Sequence, residues 1–105
     1  MFSKGGMGGF MKQAQQMQKK MAEIQSEIDA LEIEGQSGGG MVKVLVSGKK
    51  ILLSVDIASD LMSEDKEMLE DLILVATNNA IQKIDDISKE KMAAITGGMN
   101  VPGLF

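Results

Sequence analysis

The sequence contains no cysteine, histidine, arginine, tryptophan or tyrosine. Without cysteine there is neither a disulfide framework nor a thiolate metal site. Without histidine, the usual general base and the commonest metal ligand are missing. The residue inventory offers no recognisable nucleophile–base pair, so the chain is not expected to be an enzyme, and no cofactor or small-molecule substrate is expected. Aromatics are confined to Phe2, Phe10 and Phe105, 3% of the chain. Leu, Ile, Val and ten Met must therefore fill any core. Methionine fills irregular gaps but specifies shape weakly, so burial against a second copy would help such a protein. No run approaches the roughly 20 apolar residues of a membrane span, and the start has no apolar stretch long enough for a signal peptide. A soluble cytoplasmic protein that does not engage membranes is expected.

At 105 residues and 44% apolar content, one domain is the natural reading. The net charge of −4 argues against a uniformly basic surface, but the charges are segregated. Residues 1–22 carry Lys4, Lys12, Lys19 and Lys20 and no acid. Residues 23–34 carry five acids and no base, and residues 56–71 hold seven acids against Lys66 alone. The amino-terminal arm is thus basic on an acidic chain.

Residues 10–31 organise the rest. Phe10, Ala14, Met17, Met21, Ile24, Ile28 and Leu31 alternate at spacings of four and three, which places them on one stripe of a helix. The stretch has no Pro or Gly and is rich in good helix formers. Such a helix is about 33 Å long. A compact domain of this size has a radius of gyration near ~13 Å, so part of the stripe needs a second surface. A second copy of the same helix would supply it, with Met17, Met21, Ile24 and Ile28 as the dimer interface.

Before this helix, residues 1–9 read as a flexible glycine-rich start. After it, Ile33–Ser37 reads as a short strand and Gly38–Gly40 as a turn; the triple glycine lacks the GK[ST] ending of a phosphate loop. Met41–Ser47 and Ile51–Ile57 alternate as strands around a turn at Gly48–Lys50, with Ile51, Leu53, Val55 and Ile57 expected on one face. Residues 58–62 suggest a helical turn. Ser63 is a candidate N-cap for a second long helix, with Leu69, Ile73, Ala76, Ala80, Ile84 and Ile87 as its stripe and Leu72, Met68 and Val75 widening it. That helix runs to about Ile95, and residues 97–105 read as a flexible tail. The acids around Asp65 and Glu67 suit the positive end of a helix dipole better than a metal site. The expected architecture is α+β: a long N-terminal helix, a small antiparallel three-stranded meander and a long C-terminal helix in a single domain over residues 10–96, forming an intertwined homodimer.

GGGMVKVLV at 38–46, Val55-Asp56-Ile57, DKEMLEDL at 65–72, Asn78-Asn79-Ala80, Lys89-Glu90-Lys91-Met92 and Gly97-Gly98-Met99 occur in this order along the chain. Together with KQAQQMQKKM at 12–21, they resemble the YbaB/EbfC family of bacterial nucleoid-associated proteins over nearly the whole length. The resemblance implies a non-enzymatic homodimer that binds DNA, is associated with the nucleoid and influences nucleoid organisation and gene regulation. Relatives often carry Arg in the second long helix where this chain has Gln82 and Lys83.

A lysine-rich helix face is most often merely solvated. Here the absence of acids from residues 1–22 and the doubling of the patch in a dimer favour contact with a polyanion. Lys12, Gln16, Lys19 and Lys20 are the expected DNA-binding residues of the first helix, and Lys83, Lys89 and Lys91 those of the second. Lysine is a point charge without the bidentate fork of arginine, so phosphate contacts are expected rather than base reading. The competing expectation is a protein-interaction adaptor that uses the acidic 56–71 region and exposed Met, with DNA binding incidental.

Overall fold

The computed structural model describes the backbone of residues 2–96 and the side chains of residues 8–95. The elements are α1 (Phe2–Asp29), β1 (Glu32–Ser37), a 3-10 turn over Gly38–Gly40, β2 (Val42–Ser47), β3 (Leu52–Ile57), a second 3-10 turn over Ser59–Ser63, and α2 (Lys66–Thr96). The strands form one antiparallel sheet in the order β1-β2-β3. This is the long helix, small meander and long helix that the periodicities predict.

The sheet is built on β2. Val42, Val44 and Val46 alternate with Lys43, Leu45 and Ser47, and the three valines are buried against α2. Gly35 pairs with Val44, and Ile33 with Val46, which puts both on the helix side of the sheet. On the other edge Val44 faces Val55 and Val42 faces Ile57. The strict alternation expected for β3 breaks at a register shift, where Leu45 pairs with Ser54 but Val46 pairs with Leu52. Leu53 is the extra residue of a bulge, so Leu52 takes the helix side where unbroken alternation would have turned it away.

Two glycine positions are dictated by geometry. Gly38, Gly39 and Gly40 have φ of 60°, 67° and 92°, a succession of left-handed residues that side chains rarely adopt. Gly35 lies where α2 crosses β1, and a methyl carbon there would come within 2.7 Å of the Ala80 Cβ. Ala76 and Ala80, both fully buried, keep this crossing close.

α2 starts later than the expected cap at Ser63. Residues 59–63 are taken up by the 3-10 turn, in which the Ser63 hydroxyl donates to the Asp60 carbonyl. The cap is Asp65, whose Oδ1 accepts from the Met68 N–H at 2.9 Å. α2 lies across β1 and β2. Ala76, Ala80 and Ile84 are buried beneath it, with Leu69, Leu72 and Ile73 packed alongside.

α1 begins at Phe2, so residues 2–9, read from the sequence as a separate flexible start, continue the helix. It ends at Asp29 rather than near Glu32, because Leu31 is drawn into the link to the sheet, where its carbonyl accepts from the Gly48 N–H. The tail expected over residues 97–105 lies outside the described residues. Among the described residues, α1 packs most closely at its carboxyl-terminal end. Ile28 is 2% exposed within the core, and Ile24 lies against it with Met92 of α2. Further out, Met17 and Lys20 lie beside Ile95. The helices therefore run antiparallel, and the amino-terminal part of α1 projects with the end of α2 beyond the sheet. The radius of gyration is 20.6 Å and the long dimension 77 Å, far from the ~13 Å of a compact chain of this length.

Candidate nucleic-acid interface

The projecting arm collects the basic residues. Lys12, Gln16 and Lys19 stand at i, i+4 and i+7 on α1, so they share one exposed face, with the two lysines about 10 Å apart along the axis. Lys20 is also exposed and lies with Gln13, Gln16 and Met17 at a cleft closed by Ile95. No acid occurs in residues 8–22. The opposite end of the molecule holds Asp60, Glu64, Asp65, Glu67, Glu70 and Asp71, all exposed around the start of α2. The only base among them, Lys66, pairs with Glu70 at 3.8 Å. The charge segregation of the sequence thus becomes an end-to-end polarity of the fold, basic at the arm and acidic at the foot of α2.

The three lysines expected on α2 do not form one patch. Separated by six and two residues, they leave the helix at different angles. Lys89 is exposed and Lys91 half-buried, both near the arm. Lys83 is engaged elsewhere: its Nζ donates to the Glu34 carbonyl at 3.0 Å. One helical turn before it, Asn79 Oδ1 accepts from the Gln36 N–H at 3.2 Å. Glu34 and Gln36 present these backbone groups at the outer edge of β1, so Asn79 and Lys83 together cover that edge of the sheet. The sequence reading gave Asn79 no structural role and expected Lys83 at DNA; in the fold the exposed Lys83 also holds the edge of the sheet. The one available signal was the pair Asn78-Asn79, poor helix formers inside an otherwise strong helical stretch.

The residues expected to join two copies are likewise redistributed. Ile28 is buried in its own chain and offers a partner nothing, because the core of the sheet takes it. Ile24 and Met17 are half-buried against α2, while Met21 is 45% exposed. The second surface that the long stripe requires is supplied in part by α2.

Among the described residues, no group of three or more His, Cys, Asp or Glu is placed to hold a metal ion. No described helix is long and apolar enough to cross a membrane. The surface offers exposed lysine and glutamine, which reach phosphates and base edges.

A family model described as the YbaB/EbfC DNA-binding family matches residues 4–99. Among solved structures, the chain is similar to uncharacterized protein HP0035 from Helicobacter pylori, with 25% identity and a TM-score of 0.69 over 87% of this chain and 94% of that one.

Proposed function

The chain belongs to the YbaB/EbfC DNA-binding family, and from that premise we propose that it binds duplex DNA as a homodimer, in the nucleoid, through phosphate contacts made by the α1 arm. The observation that supports this reading is the acid-free helix face of Lys12, Gln16 and Lys19 at the projecting end of an otherwise acidic molecule. The acidic foot of α2 is repelled by the polyanion, which orients the arm toward it. Lys20, Lys89 and Lys91 add to the field near the arm, whereas Lys83 serves the sheet.

With lysine alone as the cation, the contacts neutralise backbone charge and carry little base discrimination. Binding is sequence-tolerant, roughly 10⁻⁴ to 10⁻⁶ M per dimer at physiological salt, and tightens when several dimers share one duplex. Two arms held by one dimer would bridge or bend DNA, and this is the route to nucleoid organisation and gene regulation. The role is binding, with no catalytic step.

A gel-shift series with duplex DNA at rising salt tests the reading: the shift should be present at low salt and weaken steeply as salt rises. A second reading, a protein-interaction adaptor, draws on Met62 and Met68, which are exposed among Asp60, Glu64 and Glu67. No shift at low salt would favour it.

A further inference from the structure

α1 outruns α2. Ile95, in the last turn of α2, shares a cleft with Gln13, Gln16, Met17 and Lys20 of α1. Phe10 lies three residues nearer the start of α1 than Gln13, about 4.5 Å further along the axis at ~1.5 Å per residue. It stands on the stripe of Ala14, Met17, Ile24 and Ile28. Nearer the sheet that stripe is covered: Ile28 is buried, Ile24 packs against the core, and Met17 is half-buried beside Ile95. Past the end of α2 the cover stops. Phe10 is 72% exposed, Ala14 is exposed, and the neighbouring Met11 is 57% exposed.

The sequence that follows α2 suits this stripe. Residues 97–105 read GGMNVPGLF. None of the nine is charged, and Met99, Val101, Leu104 and Phe105 carry large apolar side chains. Nine extended residues reach about 30 Å, several times the distance from the end of α2 to the level of Phe10. The first two are glycine, which permits any change of direction. The lysine face of the arm lies elsewhere. Lys12, Gln16 and Lys19 each follow Phe10, Ala14 and Met17 by two positions, about 200° around the helix. A segment on the Phe10 stripe leaves those lysines free, and an uncharged one does not compete for them.

We propose that residues 97–105 turn back along the arm and cover Phe10 and Ala14, closing the apolar stripe of α1 with the same chain. The argument for this occupant is connection. The segment is tethered to Thr96, close to the exposed stripe, at an effective concentration on the order of millimolar whatever the concentration of the protein. The cover acts as a strap: it holds the projecting part of α1 to the end of α2 and keeps the lysine face turned outward. The strap goes beyond the DNA reading and stands without it.

The absence of tryptophan and cysteine makes two clean tests possible in the full chain. Phe10→Trp introduces a single tryptophan. Its emission should lie at shorter wavelength than that of tryptophan in water and should not change on dilution. Adding Leu104→Ser/Phe105→Ser should move it to longer wavelength, with the helical circular dichroism retained. Ala14→Cys/Leu104→Cys should close a disulfide within one chain without reductant, since the strap brings the two positions within bonding reach. It should do so several-fold faster than Gln16→Cys/Leu104→Cys, whose arm thiol is on the far face. If the serine variant fails to fold, the cross-linking rates decide alone. A water-like emission, an emission that the serine substitutions do not move, or equal cross-linking rates overturn the proposal. A disulfide that joins two chains instead of closing one also overturns it and assigns the stripe to a second copy. DNA is absent from both tests, so failure of the strap leaves the nucleic-acid reading standing, and a gel shift that never appears leaves the strap standing.

Discussion

The ammonium group of Lys83 donates to the backbone carbonyl of Glu34 at 3.0 Å, tying the middle of α2 to the outer edge of β1. A lysine that the charge pattern assigns to DNA is thereby a component of the sheet. Lys83→Met, which keeps the aliphatic stem, should lower stability by about 1 kcal/mol or less, as befits an exposed hydrogen bond. It should leave DNA affinity close to wild type. Urea denaturation beside a binding titration checks both halves.

Gly35 and Ala80 set the distance between the sheet and α2. Gly35→Ala would push a methyl group to 2.7 Å from the Ala80 Cβ and closer still to the Ala76 carbonyl. Neither neighbour can rotate away, since one is a Cβ and the other backbone. The substitution should destabilise by about 1–3 kcal/mol, the usual range for overpacking a tight contact. Thermal melting of the variant reads it directly, and a combined Gly35→Ala/Ala80→Gly chain should recover part of the loss.

The start of α2 provides a paired test. Asp65 caps the helix through the Met68 N–H, while Ser63 closes the preceding turn. Asp65→Ala should cost about 1 kcal/mol, and Asp65→Ser much less. Ser63→Ala should have a smaller effect than Asp65→Ala, because its hydroxyl bond is long and exposed at 3.3 Å. Equal losses at the two positions would return the cap to Ser63.

Much of this fold was legible because its signals are local. Val42, Val44 and Val46 alternate, Ala76, Ala80 and Ile84 recur at helical spacing, and three glycines announce a turn. The bulge at Leu53 was not legible, because LLSV satisfies an unbroken strand equally well. The early start of α1 was hidden by glycines, which weaken a helix without forbidding one. At the candidate site the arm lysines could be read from the absence of acids around them. Lys83 could not: whether a lysine faces water or a strand edge depends on which residues lie across 49 positions of sequence. The burial of Ile28 in its own core was not legible for the same reason, since one apolar stripe serves an intramolecular core and a partner helix alike.

The account turns on the arm being the surface that meets DNA. Two charge reversals of equal size separate this from a simple effect of net charge: Lys12→Glu/Lys19→Glu on the arm, and Lys43→Glu/Lys49→Glu on the sheet and its hairpin turn, all four positions being exposed. Duplex affinity should be measured for both, with wild type, across a salt series. The arm variant should lose most of its affinity and show a shallower salt slope, by about one unit for each phosphate contact removed, while the sheet variant stays close to wild type. Equal losses in the two variants, or a larger loss from the sheet, would contradict it.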